Sequence, residues 1–299
     1  KEAYNEVSES YIEAIKVLIK NVENYHKTQK PNNWNDSPKK GVTYGRQYSP
    51  INRVCLYVPG GQAVYPTSVV MNAIPANIAQ VPHICIATPP QADNKIAPQV
   101  LVAADCCNIK SILKVGGAQA VFAVANGTQT IPKADKIVGP GNRYVAGAKQ
   151  MVYGSIDIDK PAGPSEVLVY CNQIKYAPYA AAELLAQLEH DPENVGIGIS
   201  EDPEILQTIQ TELSQQIKLS NRQDIITKSC QRSALFQTHT QAESIKTINK
   251  VATEHLALIC DDYATLLPQI NNAGAIFCGP YTSVTLGDYY AGPNHVLPT

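Results

Sequence analysis

The chain has 299 residues, of which 44% are hydrophobic and 17% are charged, and its formal net charge is −2 at pH 7. The length allows two domains of ordinary size, and the composition excludes a disordered chain. The near-neutral charge balance gives no broad basic field, so nucleic acid and anionic membranes are not expected as main partners. No apolar run approaches the ~18 residues that a membrane-spanning helix requires.

Cysteine usage indicates a reducing compartment. The eight cysteines include no CxxC pair, and most lie inside apolar runs such as 54–56 and 84–86. A disulfide framework is typical of small secreted domains, whereas thiols in apolar runs behave as buried hydrophobic side chains. We therefore predict free, mostly buried cysteines and a cytoplasmic protein.

The first 52 residues combine one predicted helix with a polar stretch. Apolar positions recur at spacings of three and four over residues 2–28, which indicates one face of a helix. The stretch 31–50 contains scattered Asn, Asp, Gly and Pro residues and is predicted to be a loop or linker.

From residue 53 onward, short apolar strands alternate with helical segments in two blocks. In the first block, strands are predicted at 54–58, 83–87, 111–115 and 136–138, and helices at 95–107 and 117–125. In the second block, strands are predicted at 166–171, 195–200, 256–260 and 274–278, and helices at 177–190, 202–218, 240–253 and 262–272. Repeated strand–helix order predicts an α/β fold whose parallel sheets carry helices on both faces.

The loop 160–165 separates the two blocks and marks a predicted domain boundary. Residues 53–162 form one predicted α/β domain. We expect residues 1–52 and 163–299 to come together as the other. The chain shows no fixed-period repeat that would suggest a solenoid instead.

Glycine-rich turns follow several strands of the first block. Gly139-Pro140-Gly141-Asn142 comes directly after the strand at 136–138, and similar turns occur at 59–61 and 116–117. No GxxxxGK[ST] and no full GxGxxG is present, and tight strand-to-helix turns would by themselves explain the glycines. Glycine-rich loops at the ends of parallel strands also line the crevice where α/β folds bind dinucleotides. Both interpretations remain open at this level.

Two polar pairs in the second block could support chemistry. Gln187 and His190 lie three residues apart near the end of a predicted helix, where an amide oxygen and an imidazole could share a metal, although Asp191-Pro192 alone would explain the helix end. Glu254 and His255 lie where a helix meets a strand, and such a pair suits proton transfer. The alternative for that pair is a histidine that favours the helix dipole beside a solvated glutamate.

The last segment, 287–299, is a loop rich in glycine and proline that offers Asp288 and His295 as polar contacts. Taken together, the ordered segments of the chain resemble histidinol dehydrogenases over nearly the whole length. The resemblance is carried by the segments 56–61, 115–120, 139–142, 161–169, 187–190, 254–256 and 292–299.

The resemblance implies an enzyme that oxidises L-histidinol to L-histidine through the aldehyde with two NAD, the last step of histidine biosynthesis. It also implies two similar incomplete Rossmann-like domains with parallel sheets, in an aldehyde-dehydrogenase-like architecture and an intertwined homodimer with a shared active site. By the same resemblance, residues 53–162 form the NAD-binding domain, and residues 1–52 with 163–299 form the zinc and substrate domain. The family's segments upstream of Lys1 and beyond Thr299 are expected to be missing from this chain.

Individual roles follow from the resemblance, position by position. Glu254 and His255 correspond to the catalytic acid–base pair. Zn²⁺ is expected on Gln187, His190 and Asp288. NAD is expected to contact Tyr57, Gln119 and Asn142. The expected substrate contacts are Ser165, Gln187, His190, His255, Asp288 and His295.

Two alternatives stay open. A related zinc- and NAD-dependent dehydrogenase could use the same residues on another hydroxylated metabolite. A non-catalytic binding protein could keep the scaffold, although an intact Glu254-His255 pair argues against it.

Overall fold

The structure, a computed structural model, describes residues 1–60, 64–160 and 164–294. Contacts divide these residues into two units, one within Lys1–Pro161 and Asp288–Val296, and the other within Ala162–Gly287. None of the described helices is long and apolar enough to cross a membrane.

The first unit contains six helices and seven strands among its described residues. Its helices are α1 Glu2–Asn5, α2 Glu9–Lys27, α3 Pro66–Ile78, α4 Pro98–Cys106, α5 Gly117–Asn126 and α6 Arg143–Val152. Its strands are β1 Trp34–Lys39, β2 Val42–Arg46, β3 Arg53–Tyr57, β4 His83–Ala87, β5 Ser111–Leu113, β6 Lys136–Val138 and β7 Asp157–Ile158.

The second unit repeats the same alternation of strand and helix. Its strands are β8 Glu166–Cys171, β9 Val195–Ser200, β10 Ala234–Gln237, β11 His255–Ile259 and β12 Ala275–Cys278. Its helices are α7 Ala177–Leu188, α8 Pro203–Ile217, α9 Gln223–Cys230, α10 Gln241–Val251, α11 Tyr263–Leu266 and α12 Val284–Leu286, with 3₁₀ turns at Ile174–Tyr176 and Leu267–Gln269. A π-helical turn, Gly287–Ala291, follows.

Each unit is built on one five-stranded parallel sheet, and the two sheets have the same topology. The strand orders are β5-β4-β3-β6-β7 and β10-β9-β8-β11-β12. When the strands are counted along the chain within each five-stranded sheet, both orders are 3-2-1-4-5, which is the Rossmann order without its sixth strand. The predicted fold class, two similar incomplete Rossmann-like domains with parallel sheets, is therefore confirmed.

Alternation along the central strands explains why both faces of each sheet are covered. In β3, Val54 and Leu56 pack with helices α2 to α4 on one face, while Cys55 and Tyr57 pack with α5 and α6 on the other. In the second unit, alternate residues of β8 likewise pack in two clusters, one with α7 to α9 and the other with α10. Strands buried on both faces appear in the sequence as short, nearly continuous apolar runs, which is why they were predictable.

The predicted strands are confirmed, and no strand end differs from its predicted position by more than two residues. The single helix predicted over 2–28 is divided in two, because Ser8 accepts a hydrogen bond from the Tyr11 amide and caps a new helix there. The segment 31–50, predicted as a loop, contains the antiparallel hairpin of β1 and β2, and every residue of both strands is exposed. The helix predicted over 262–272 is limited to α11 and a 3₁₀ turn.

Several elements, among them α3, α9 and β10, had no counterpart in the sequence prediction. α3 carries Pro75 in its interior, and Pro is a weak helix signal at that position. β10 is a four-residue edge strand with mixed exposure, which has little periodicity to detect.

The contacts group the amino-terminal segment differently from the predicted domains. Ile15, Leu18 and Val22 of α2 are buried in the same core as Val54 and Leu56 of the first sheet. The helix therefore packs on the unit that contains residues 53–160. The assignment of one domain to NAD and the other to zinc and substrate remains a prediction.

Candidate functional site

The chain order of the first sheet reverses between β3 and β6, and glycine loops follow both strands at their carboxyl ends. Tyr57 ends β3, and its hydroxyl accepts a hydrogen bond of 2.9 Å from the Gly117 amide at the start of α5. Gly139 follows β6 with φ +116°, and a Cβ there would lie 2.1 Å from the Tyr57 carbonyl oxygen. Glycine is therefore required for this backbone crossing, and the loops meet at the edge where such folds bind dinucleotides.

A buried ion pair, which the sequence did not suggest, supports the loop after β6. The Gly139 amide donates to Asp159 Oδ2 at 2.6 Å, and Lys149 Nζ donates to the Gly139 carbonyl at 3.0 Å. Lys149 and Asp159 also pair with each other, at side-chain exposures of 4% and 14%. Both polar groups of Gly139 are thereby held, which orients the turn that leads into α6.

The three residues expected to contact NAD all lie at this carboxyl edge. Asn142 caps α6 and accepts hydrogen bonds of 3.1 Å from the Tyr144 and Val145 amides through Oδ1, so its Nδ2 group is the part left to face a ligand. Gln119 is exposed in the first turn of α5. Tyr57 is 4% exposed, and burial raises its pKa while the Gly117 amide lowers it. The amino ends of α5 and α6 supply backbone N–H groups suited to a pyrophosphate.

The carboxyl edge of the second sheet has a different character. It presents carboxylates: Glu201, which bonds to the Tyr170 hydroxyl, and Asp261 and Asp262 after β11. Asp261 has a lowered pKa, mainly because the Tyr176 hydroxyl and then Lys175 donate to it. Clustered acidic groups repel phosphates, so this edge does not favour a dinucleotide, and the expectation of NAD at the first sheet remains a prediction.

Glu254 and His255, the predicted acid–base pair, lie at the opposite, amino edge of the second sheet. Parallel pairing sets Glu166 beside Val195 and His255 beside Val167. The Glu254 carboxylate accepts a hydrogen bond of 3.3 Å from the Glu166 amide, and the Val195 amide donates to the Ser165 carbonyl at 3.2 Å. Ser165, Glu254 and His255 are therefore brought to one edge.

The geometry of the pair is tight and shielded from solvent. Glu254 and His255 are each 5% exposed. His255 Nδ1 lies 3.5 Å from Glu254 Oε2 and 3.3 Å from the Glu166 carbonyl oxygen. The His255 ring also lies 6.0 Å from the Phe277 ring, between centroids. A charge in such a buried place interacts strongly with its neighbours because water screens it little.

The end of α7 reaches the same edge. Gln187 is 7% exposed, and its carbonyl accepts a hydrogen bond of 3.0 Å from Nδ2 of Asn194, the residue before β9. His190 is exposed and lies two residues beyond the helix, where its amide donates to the Gln187 carbonyl at 3.3 Å. The helix thus ends earlier than predicted, and a turn rather than a shared helix face keeps Gln187 and His190 together.

A buried glutamate on α7, which the sequence analysis missed, holds the segment that leads to Asp288. Glu183 Oε1 accepts a hydrogen bond of 2.9 Å from the Val284 amide, and burial raises the pKa of Glu183 while that amide lowers it. Glu183 is one helical turn before Gln187. The chain then passes Gly287, where a Cβ would lie 2.7 Å from Phe277, and Asp288 is the next residue.

The remaining predicted contacts are distributed as follows. Asp288 is half-buried in the π-helical turn, and the contacts assign it to the first unit, while Gln187 and His190 belong to the second. His295 lies outside the described residues. Within the residues that the structure describes, no three His, Cys, Asp or Glu side chains form a metal-binding group. The roles of these residues remain predictions.

The fold places the protein among aldehyde-dehydrogenase-like structures. An NAD-dependent benzaldehyde dehydrogenase from Corynebacterium glutamicum superposes with a TM-score of 0.62 at 11% identity, covering 96% of this chain and 80% of that one. An acetylating aldehyde dehydrogenase from Geobacillus thermoglucosidasius gives 0.58 at 13% identity, covering 96% and 84%. Likeness at this identity shows the fold alone.

Closer matches identify the family. The histidinol dehydrogenase family model matches residues 1–299. Histidinol dehydrogenase of Halalkalibacterium halodurans is 44% identical over 298 residues, covering 99% of this chain and 70% of that protein. The crystal structure of histidinol dehydrogenase from Elizabethkingia anophelis superposes with a TM-score of 0.97 at 37% identity, covering 100% and 69%. The chain belongs to the histidinol dehydrogenase family, which is a family of oxidoreductases that act on a small molecule.

Proposed function

We propose that this protein oxidises L-histidinol to L-histidine through the aldehyde, with two NAD, as the last step of histidine biosynthesis. The observation that carries the proposal is the buried Glu254-His255 pair, held at the same sheet edge as Ser165 and Gln187 in a chain of this family. A buried carboxylate and imidazole in contact are the groups that proton transfer in two successive oxidations requires.

The hydrogen bonds of His255 decide which nitrogen can act as a base. The Glu166 carbonyl can only accept, so a neutral His255 imidazole holds its proton on Nδ1 and donates it to that oxygen at 3.3 Å. Nε2 then carries the lone pair. In the proposed reaction Nε2 takes the proton of the substrate hydroxyl, and the nearby Glu254 carboxylate stabilises the imidazolium that forms.

Glu254 has a second proposed task. Its Oε2 is oriented by the Glu166 amide, so the carboxylate is held in one place. We assign it the activation of the water that hydrates the aldehyde, which is the step between the two oxidations. His255 then removes a proton from the hydrate in the second oxidation.

The residues at the carboxyl edge of the first sheet fit NAD in type and placement. This edge has the amino ends of α5 and α6, the Tyr57 hydroxyl and the exposed Gln119 amide. They lie beside glycine loops, and at Gly139 the loop backbone closely approaches the backbone of Tyr57. Tyr57, Gln119 and Asn142 would hold the cofactor there. When bound, NAD supplies the hydride acceptor for each oxidation.

Zn²⁺ is proposed on Gln187, His190 and Asp288. The amide of Gln187 is largely buried and no described side chain hydrogen-bonds to it, and His190 follows one turn later, so an oxygen and a nitrogen donor are available together. Glu183 anchors the segment that continues directly into Asp288. When bound, zinc supplies an electrophilic anchor for nitrogen donors of the substrate, and its contribution is orientation.

A homodimer with a shared active site and a cytoplasmic location complete the proposal. Both strands of the β1–β2 hairpin are exposed, and a two-stranded hairpin is marginally stable unless something packs against it. All eight cysteines are free, as a reducing compartment would allow. His295 is proposed to contact the substrate together with Ser165.

The test of the function is turnover with a substrate panel. Purified protein supplied with NAD and zinc is expected to form about two NADH per L-histidinol and to release L-histidine, whereas other amino alcohols react at least about 100-fold more slowly in kcat/KM. A faster reaction with another hydroxylated metabolite would favour the related-dehydrogenase alternative. Absence of any turnover together with tight binding of NAD would favour a non-catalytic binding protein.

Zinc is tested separately by a binding measurement. After chelation and dialysis, titration with zinc should reach about one ion per chain, and Gln187→Ala with His190→Ala should reduce the affinity by about 10-fold or more. Gln215→Ala, an exposed amide on α8, is the control variant. Unchanged zinc affinity in the double variant would remove these residues from the ligand set.

A further inference from the structure

Two thiols lie side by side in the first sheet, away from the site described above. Cys55 in β3 and Cys85 in β4 are register partners in parallel strands, and both pack in the cluster beneath α5 and α6. The Cys85 thiol donates to the Val54 carbonyl at 3.8 Å, which holds its sulfur against the neighbouring strand β3. In two other half-buried cysteines, Cys230 and Cys278, burial alone raises the pKa of the thiol.

The two sulfurs differ in their chemistry. The Cys55 thiol lowers the pKa of Cys85 by donating to it, burial raises that pKa, and the Arg53 charge lowers it further. Cys55 is fully buried, and its pKa is raised by the same thiol pair and by burial. Because the thiolate is the reactive form, Cys85 is the better nucleophile of the two.

Cys85 is also reachable. It lines a cavity of about 360 Å³ at the amino edge of the first sheet, together with Arg53, His83 and Lys110. This edge is opposite to the carboxyl ends where NAD is proposed. The cavity is large enough for a small hydroperoxide, and basic groups on its wall favour the thiolate over the thiol.

We propose that Cys85 and Cys55 form a peroxide-sensitive dithiol, in which Cys85 is oxidised first and Cys55 converts it to a disulfide. The Cys85 thiolate attacks one oxygen of the hydroperoxide, the O–O bond breaks, and Cys85 becomes a sulfenic acid while the peroxide leaves as an alcohol or as water. The Cys55 sulfur then attacks Cys85, the S–S bond forms, and the S–O bond breaks to release water with the Cys55 proton. Two thiols supply the two electrons.

The backbone is compatible with this product. Neighbouring strands lie about 4.7–4.9 Å apart, and disulfides occur at Cα separations of about 4.4–6.8 Å. The two residues are already in register, so the bond needs side-chain rotation and no change of strand pairing. The inference does not depend on the reaction proposed above.

The test uses the intact, reduced protein and hydrogen peroxide. Samples taken over time are blocked with iodoacetamide, digested without reductant and analysed by mass spectrometry. A peptide linking Cys55 to Cys85 is expected as the first cross-link, and Cys85 should be lost at least about 10-fold faster than Cys230 or Cys278. If Cys85 stays reduced as long as Cys278, or if another pair such as Cys106 and Cys107 links first, the proposal is wrong.

Variants assign the order of the steps. In Cys55→Ala, dimedone should capture a sulfenic acid on Cys85, because the resolving thiol is gone. In Cys85→Ala, Cys55 should remain reduced, and Cys278→Ala should behave as the unmodified protein. Capture on Cys55 in Cys85→Ala, or no capture on Cys85 in Cys55→Ala, would contradict the order. If a variant does not fold, the cross-link kinetics of the unmodified protein still decide the proposal.

Discussion

Glu254 and His255 share one buried position, yet the proposed mechanism gives them different work. Glu254→Gln keeps an oxygen that can accept the Glu166 amide, so the local fold should survive while the carboxylate is lost. We expect oxidation of the aldehyde to fall by about 10²-fold or more, because it needs an activated water, and oxidation of the alcohol to fall much less. Single-turnover formation of NADH from histidinol and from the aldehyde measures the two halves separately.

His255→Asn is the companion variant, and it should slow both halves because the imidazole takes a proton in each. An equal loss in both halves for Glu254→Gln would contradict the division of roles. Turnover of histidinol by the unmodified protein has to be shown first, so a failure of the proposed function is distinguishable from a failure of this assignment.

Two lysines of the first unit form ion pairs in different environments. Lys149 and Asp159 are 4% and 14% exposed, whereas Lys136 and Asp157 are 31% and 57% exposed. Lys149→Met leaves a buried carboxylate and a free Gly139 carbonyl, so it should cost about 3–5 kcal/mol in the free energy of unfolding. Lys136→Met should cost at most about 1 kcal/mol. Urea denaturation of both variants checks this, and equal losses would show that burial of the first pair has no energetic effect.

At the scale of elements, two glycines, one before α6 and one inside it, should respond to substitution by alanine in opposite ways. Gly139 combines φ +116° with a Cβ position 2.1 Å from the Tyr57 carbonyl oxygen, whereas Gly147 lies inside α6 with nothing within 4 Å. Gly139→Ala should therefore destabilise the protein by at least about 2 kcal/mol. Gly147→Ala should stabilise it by about 0.5–1 kcal/mol, because alanine loses less backbone entropy in a helix. Thermal and urea unfolding are the measurements, and a stable Gly139→Ala protein would refute the close approach.

The stability that the hydrogen bond between Glu183 of α7 and the Val284 amide of α12 provides should depend on pH. Burial raises the pKa of Glu183 above its ordinary value of 4.5. Because the pKa of Glu183 is raised in the folded state, this residue contributes fully to the free energy of unfolding at pH values below its unfolded-state pKa. That contribution is lost as the pH rises through its folded-state pKa. In Glu183→Gln the side chain stays neutral and still accepts a hydrogen bond from the Val284 amide. Relative to the unmodified protein, the variant should therefore be more stable at about pH 7 than at about pH 4.

Denaturation with urea at the two pH values measures this gain, and Glu13→Gln, an exposed position on α2, controls for the loss of a surface carboxylate. A Glu183→Gln protein that is less stable at neutral pH would mean that the carboxylate is held by a stronger partner than one amide.

Elements buried on both faces were the ones that the sequence predicted best. β8 and β11 are continuous apolar runs, and their positions were predicted within two residues. The β1–β2 hairpin was missed because its residues are polar and exposed on both faces, so no periodicity distinguishes it from a loop. His190 was placed in a helix because a helical pattern does not show where the last turn opens.

At the scale of the whole molecule, the exposed hairpin offers a test of the proposed homodimer. Trp34, the only tryptophan of the chain, is 51% exposed in β1 and contacts Tyr44 edge-on at 6.2 Å between ring centroids. If the hairpin packs against a second copy, Trp34 fluorescence should shift to shorter wavelength and resist quenching by acrylamide as the protein concentration rises.

Sedimentation of Trp34→Ser checks the same prediction without fluorescence. The dimer fraction should fall in this variant and remain unchanged in Tyr281→Ser, which removes another exposed aromatic ring, 74% exposed, from the second unit. Equal dimer fractions in the unmodified protein and both variants would show that the hairpin does not take part in dimer assembly.

The sequence by itself determined the fold class, the alternation of strands and helices, the family and the residue types that could carry chemistry. These depend on local periodicity and on ordered motifs, which a linear chain records directly. Only the tertiary structure decided that Ser165 and Glu254 share an edge, that Lys149 and Asp159 hold Gly139, and that Cys55 and Cys85 are register partners. These pairings depend on strand order and register, and residues far apart in the chain become neighbours only when parallel strands align their ends.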